Sequence, residues 1–380
     1  MDDFFKEINF PYSSVRKGQD EFITKVYSTI VKNGNMIISA PTGLGKTISG
    51  LAPAIYHAKK NKLTVIVLTS RQTQANQVIK TIKDINEKIK SNPNIKEKDK
   101  IINYVAFIGK RNMCVHPERE LYPSSDFNDF CKKVRETGRC KYFKNTKNTD
   151  YDEKIKELLE LSSKEFMSVE NFVNLSYTNN FCPYELVSKK AYLADVIICD
   201  YNYMFSPGIK DGFLGKIGRE LEECIIIVDE AHNLPDRIRN SHSHKLTSEM
   251  IKNALKELKD FVKNSEYDSY ILNFSATMDE IYFSKILGEK TETLVKREEI
   301  LSNYLAKFNK LVKFQTIIEE LRDVEKIVKE DRIISHIGRF ANFLDKWATL
   351  NEESYLRILE KNITKDKTIL SLTIKCIDPS

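Results

Sequence analysis

No run of this sequence approaches the roughly 18 consecutive apolar residues of a membrane span, and the opening MDDFFKEINFPYSS has neither the basic start nor the apolar core of a secretory signal. A cytoplasmic chain with no membrane partner is expected. Charge of one sign is scarce as well. The 60 lysines and arginines against 54 acidic residues leave a formal +6 over 380 residues, which permits a polyanionic partner without requiring one. Closely spaced cysteine pairs are missing: the seven cysteines form no C-x₂₋₄-C knuckle, and a reducing compartment argues against a disulfide framework. Glycine and proline nearly vanish from 289 to 380, where only Gly338 and Pro379 occur. Apolar residues make up 41% of the chain, which excludes a wholly disordered polymer and allows two or three domains.

What is present begins with NMIISAPTGLGKTISG. An apolar strand over Met36, Ile37 and Ile38 is predicted to run into a loop of Ala40, Pro41, Thr42, Gly43, Leu44, Gly45, Lys46 and Thr47, then into a helix. Glycines let backbone N–H groups turn inward around phosphates, and the helix N-terminus adds a positive dipole. Lys46 would neutralise the outer phosphates and Thr47 would ligate Mg2+. The loop starts with Ala40 where the usual pattern has glycine.

The segment CIIIVDEAHNLPD repeats this logic. Ile225 to Val228 read as a buried parallel strand, and Asp229 and Glu230 follow at its carboxyl end, where an open α/β sheet places ligands. Asp229 would hold Mg2+ and Glu230 would orient and deprotonate an attacking water, with His232 either coupling the site to a neighbour or capping a loop. The two motifs together predict an ATPase core. Gln19, one helix before the loop, would read adenine or else lie on the surface. The strand LTVIVLT ends in Thr69, Ser70 and Arg71, which suit nucleic-acid phosphates or serve as ordinary loop residues.

Between those motifs lie Cys114, Cys131, Cys140 and Cys182, with Lys110, Arg111, Lys132, Lys133, Arg135 and Arg139 around them. Four thiolates can hold zinc or an iron–sulfur cluster, and the wide spacing suits the larger group. Cys199, Cys224 and Cys376 read as small core residues.

The phosphate loop, the DEAH box, KRNMC, the spaced cysteines, CPYE and ADVIICDYNYMF resemble the XPD family of superfamily 2 DNA helicases, the archaeal members especially, over most of residues 1–240. The resemblance implies an α/β fold, a RecA-like parallel-sheet motor domain of the P-loop NTPase kind, with an iron-sulfur-cluster insertion and a helical arch-like domain. It implies ATP, Mg2+ and a [4Fe-4S] cluster on Cys114, Cys131, Cys140 and Cys182, and 5′-to-3′ movement on single-stranded DNA. Repair or transcription-associated partners and a monomeric state go with it. Thr69, Ser70, Arg71, Lys110, Arg111, Lys132, Arg135 and Arg139 would then contact DNA.

The division expected is 1–110 and 185–240 for the motor domain, 111–184 for the insertion and 241–380 for a mostly helical arch-like segment. The closing LTIKCIDPS would lead back to the motor. A Ser-Ala-Thr triplet, Ser275 to Thr277 within 271–288, resembles helicase motif III but stands ahead of most of the helical segment. No second motor domain is evident, and Arg339 in SHIGRFANF lacks the partners of a catalytic arginine. The alternatives are a non-catalytic nucleic-acid-binding module switched by ATP, and a zinc-stabilised interaction protein.

Overall fold

The structure is a computed structural model that describes residues 2–92, 101–165, 167–206, 208–262, 266–286, 291–309, 311–364 and 367–379. It divides into two units, Met1–Leu234 and Pro235–Ser380.

The first unit is built on four parallel strands, β1 (Thr64–Thr69), β2 (Tyr104–Phe107), β3 (Val196–Asp200) and β4 (Cys224–Val228), in the order β2-β3-β1-β4. Their near-continuous apolar runs are those of strands covered on both faces. Alternation separates the two covers. Val65 and Val67 of β1 pack with the helices Lys46–Asn61 and Gln72–Lys90, while Ile66 and Leu68 face a second core holding Leu186, Val187, Phe213 and Ile217. Register fixes the carboxyl ends side by side, with Leu68 level with Cys199 on one flank and Val228 on the other. The α/β expectation is met: a mostly helical unit with a parallel sheet at its centre.

One predicted strand is absent. Met36, Ile37 and Ile38 belong to an irregular segment without ladder partners, and Ile37 is 97% exposed. Three apolar residues do not make a strand without a neighbour to pair with, and β4 pairs only with β1.

The segment carrying the four cysteines folds into short helices, Phe127–Glu136, Lys141–Lys147, Asp152–Lys164 and Val169–Thr178, leading to Pro183–Ala191 against the sheet. Where the insertion meets β2, Lys190 is buried with its Nζ 3.0 Å from Ser162 Oγ and 5.2 Å from the Tyr104 ring centre. Burial pushes its pKa down to about 8 from an ordinary 10.5. Between those values the unfolded chain binds the extra proton, so this residue makes stability rise with pH from about 8 to 10.5. Lys190→Met is expected to remove that rise and to be more stable than wild type at pH 7 by about 2 kcal/mol, as read from denaturant melts at pH 7 and 10. A parallel pH dependence in both proteins would refute it.

The second unit adds a sheet to the mostly helical segment expected. Strands β5 (His244–Thr247), β6 (Glu292–Leu294), β7 (Tyr355–Thr364) and β8 (Lys367–Cys376) form an antiparallel sheet in the order β5-β8-β7-β6. LTIKC is part of β8, held between β5 and β7. The helices Ser248–Phe261, Glu266–Lys285, Phe314–Asp331 and His336–Thr349 share a core with this sheet, in which Phe274, Tyr304, Phe340 and Trp347 meet Leu359, Leu372 and Ile374.

The motif III-like triplet lies in the interior of the helix Glu266–Lys285 rather than at a strand end. Thr277 Oγ1 donates to the Asn273 carbonyl at 2.8 Å, and Tyr270, Phe274, Thr277, Met278 and Ile281 form the buried stripe of that helix. Residues 287 and 288 of the predicted stretch lie outside the described residues. Arg339 is likewise inside a helix, His336–Thr349.

Candidate functional site

The loop before the helix Lys46–Asn61 takes its shape from two glycines in the left-handed region, Gly43 (φ 87°) and Gly45 (φ 89°). Gly45 is constrained twice over, because a Cβ there would come within 2.5 Å of Gln19 Nε2. Leu44 N–H donates to Pro41 O at 3.4 Å, which places Pro41, Thr42, Gly43 and Leu44 in one turn, and Thr47 sits in the first turn of the 16-residue helix. No side chain caps the N-terminus of that helix.

Gln19 is 2% exposed and lies beneath the loop. Its Oε1 accepts the Arg16 N–H at 3.1 Å, and the Arg16 guanidinium donates to the Gly43 carbonyl. Arg16 was not anticipated from the sequence; its place three residues before Gln19 in VRKGQ was the available signal.

Across the sheet's carboxyl edge, Lys46 Nζ stands 3.9 Å from Glu230 Oε1 and 3.4 Å from the Ala40 carbonyl. Glu230 is thereby shared between Lys46 and His232, whose Nδ1 is 3.3 Å from the other carboxylate oxygen. Asp229 N–H donates to Leu68 O at 3.0 Å, extending the ladder past β4. Burial, then the neighbouring Glu230 charge, raises the Asp229 pKa, with Lys46 opposing. Asp229, with its raised proton affinity, stands next to a second carboxylate, an arrangement that a divalent cation would relieve. Glu230 adopts a left-handed backbone (φ 49°), a conformation that costs on the order of 1–3 kcal/mol for a non-glycine residue and marks functional loops.

At the end of β1, Thr69 is buried, which removes it from the DNA-facing set. The Ser70 N–H, Ser70 Oγ and Arg71 N–H all converge on Gln74 Oε1, at 2.9, 2.9 and 3.0 Å, leaving the Arg71 side chain exposed.

The four cysteines come from four different elements and are linked by electrostatic interactions. Cys140 and Cys182 each immediately precede a helix, Cys131 lies within Phe127–Glu136, and Cys114 ends the short helix Lys110–Met113. Cys114 interacts electrostatically with Cys131 and Cys140, and Cys182 with Cys114 and Cys140. Backbone N–H groups point at three sulfurs: His116 at Cys114 (3.4 Å), Phe143 and Tyr142 at Cys140, and Glu185 at Cys182. Burial pushes the Cys114 thiol up to about 11 and the Cys182 thiol up to about 12. All seven cysteines are free, and among the described residues no three side chains are arranged to hold a single metal ion. Four soft donors, three of them met by backbone N–H groups, are the type of ligand set that a thiolate-bound cluster uses.

The basic residues divide. Lys110, Lys132 and Arg135 line one open cavity of about 620 Å³, with Arg135 over the Phe143 ring at 4.3 Å. Arg111 is tied inward, its Nε 2.9 Å from Tyr122 O and its Nη2 2.9 Å from Glu120, and Arg139 donates to Thr137 Oγ1 at 3.2 Å. Glu185, three residues after Cys182, is buried between Lys147 of the insertion and Lys216 of the motor helix Lys210–Ile217, both at 2.9 Å. Burial works to raise its pKa, yet the two ammonium groups prevail and hold it below the usual carboxylate range.

A DEAD_2 family model matches residues 67–251, the stretch that carries the cysteines and the DEAH box. In the XPD/RAD3 helicase subunit of the general transcription and DNA repair factor IIH of Saccharomyces cerevisiae, 22% of residues are identical over 76% of this chain and 38% of that protein. Over this stretch the chain is similar to XPD-like helicases. A probable ATP-dependent helicase of Methanocaldococcus jannaschii is 28% identical to this chain over 67% of its length and 33% of the relative's. A solved XPD helicase superposes with a TM-score of 0.57 at 20% identity, covering 96% of this chain and 55% of that one, and a truncated XPD does so at 0.54 and 21%, covering 94% and 86%. The chain thus spans 33–38% of these two curated relatives' length.

Proposed function

We propose that this chain is the ATP-binding first motor domain, with cysteine-cluster and arch-like insertions, of a DNA-dependent ATPase and helicase that acts on single-stranded DNA in the 5′-to-3′ direction. The observation that carries the reading is Lys46 Nζ 3.9 Å from Glu230 Oε1, which brings the phosphate loop and the DEAH box to one point. Lys46 holds the outer phosphates of ATP, and Glu230 orients and takes the proton of the attacking water. Thr47 and Asp229 hold Mg2+, which neutralises phosphate charge. Gln19 supports the loop from beneath, with its amide on the adenine side. Cys114, Cys131, Cys140 and Cys182 hold a [4Fe-4S] cluster, which cross-links the insertion, while Lys110, Lys132, Arg135 and the exposed Arg71 meet DNA phosphates.

Among the described residues there is one parallel sheet. An arginine from a second such sheet completes ATP cleavage in this class of motor. Work in DNA repair or transcription-associated assemblies, with the chain as a monomer, goes with this reading, and the name of the yeast relative supports the first part of it.

Fluorescence anisotropy with a labelled 20-nucleotide single strand and the matching duplex tests the reading. The single strand is expected to bind at least tenfold more tightly, with affinity falling steeply as salt rises. Equal affinity for both, or none for either, would overturn the DNA assignment.

A further inference from the structure

A cavity of about 20 Å³ lies where the insertion meets β2, with Lys190, Ser162, Ser168, Tyr104, Met113 and Phe172 in its wall. That volume holds one occupant of about the size of a water molecule. Lys190 is only 8% exposed, and its Nζ stands among these groups, 3.0 Å from Ser162 Oγ and 5.2 Å from the centre of the Tyr104 ring. Neither the nucleotide site nor the cysteines make use of it.

An ammonium group has three protons to donate, and here one acceptor is in place. Ser162 Oγ is that acceptor, because its own proton goes to Leu159 O at 2.7 Å. The Tyr104 hydroxyl proton is committed to Met167 O at 2.8 Å. Among the described residues no aspartate or glutamate lines the cavity. The carboxylates on the elements packed around it are engaged elsewhere or exposed: Glu170 is bound by Gln72, Asp152 by Lys189, Glu185 by Lys147 and Lys216, and Glu153, Glu157 and Glu160 face solvent.

Two further features carry the same sign as the amine. Ser168 Oγ accepts the Asn171 N–H at 3.3 Å, which leaves its hydroxyl proton without an acceptor among the described residues. Ser168 is also the N-cap of the ten-residue helix Val169–Thr178, so the positive end of that helix borders the cavity. A buried ammonium, an uncommitted hydroxyl proton and a helix N-terminus thus meet around one small space with no negative partner, and a buried charge demands one.

We propose that this cavity binds a small monovalent anion of chloride size, held by Lys190 Nζ and Ser168 Oγ, and that the bound anion fastens the insertion to β2. Chloride is only slightly larger than water, whereas gluconate is far too large for the cavity. Binding needs the ammonium form. Burial lowers the Lys190 pKa to about 8, so the anion is held at pH 7 and lost well above that value, while burial raises the Tyr104 pKa and keeps its phenol neutral throughout.

The test is the melting temperature of the anaerobically purified 380-residue chain in potassium chloride and in potassium gluconate at equal ionic strength, at pH 7 and pH 10. The quantity read is the chloride-minus-gluconate difference of the wild type relative to that of Lys190→Met, which cancels general effects of the two salts. At pH 7 the wild type is expected to exceed the variant by about 3 °C or more, the shift for an anion at roughly tenfold its dissociation constant, and at pH 10 the two should agree. Lys189→Met is the control. It removes the neighbouring charge, which pairs with Asp152 at 3.2 Å, and should keep the wild-type difference. No excess in the wild type at pH 7 would mean that water alone fills the cavity and would overturn the proposal. An excess that persisted at pH 10, or that vanished equally in Lys189→Met, would overturn it as well.

Discussion

Lys46→Ala should weaken the binding of a fluorescent ATP analogue by about a hundredfold or more and leave single-stranded DNA binding without nucleotide within about twofold of wild type. The asymmetry follows from position. Lys46 opens the helix behind the phosphate loop and points across the sheet edge to Glu230, 3.9 Å away, whereas the cations facing the open cavity are Lys110, next to the cysteine insertion, and Lys132 and Arg135 within it. Removing Lys46 deletes the positive charge facing the phosphates and also frees Glu230 from its partner, which adds repulsion. Nucleotide affinity that survived the substitution would mean that the loop is not the binding site.

Cys140→Ser is expected to purify without visible iron–sulfur absorbance and to melt about 10 °C below wild type. Loss of a bound metal group commonly costs ~4 kcal/mol or more, and each kcal/mol shifts a domain of this size by about 2–4 °C. Ile155, Leu158, Phe172 and Phe181 of the insertion share a core with the sheet, whereas the stretch around Cys131 is held by Phe127 and Phe130 with Tyr122, stacked on Phe130 at 4.3 Å. Cys140 also begins the helix Lys141–Lys147, whose Tyr142 carbonyl and Thr146 hydroxyl accept the Cys182 N–H at 3.1 and 2.8 Å. Displacing one ligand therefore disturbs a second. Coupling between DNA and nucleotide should fall more than nucleotide binding, because Glu185 links Lys147 of the insertion to Lys216 of the motor. A variant with unchanged absorbance and melting would contradict the cluster.

The nucleotide site was legible because its chemistry is local. Gly43 and Gly45 must be glycine for backbone reasons, Lys46 and Thr47 follow them on a helix start, and Asp229 and Glu230 end an unbroken apolar run. Each of these requirements spans a few residues. The second sheet was hidden for the opposite reason. Strand β7 reads Tyr-Leu-Arg-Ile-Leu-Glu-Lys-Asn-Ile-Thr, with charges on both faces, and Thr364 pairs with Lys367 across a connection that has neither glycine nor proline. Its pairing is set by tertiary packing, with Arg357 buried against the Trp347 ring at 5.3 Å. The Ser-Ala-Thr triplet misled because three small residues fit a helix interior as well as a strand end. Thr69 misled in another way: its hydroxyl type suits phosphate, but the last residue of a central strand is still inside the core.

The central claim is that Lys46, Thr47, Asp229 and Glu230 form one nucleotide site. Titration calorimetry of Mg–ATP into the anaerobically purified chain, beside Lys46→Ala, tests it most directly. The account predicts saturable binding of one nucleotide per wild-type chain and no saturable heat for the variant. Wild-type chain that gave no saturable heat, or a variant that titrated like wild type, would contradict it.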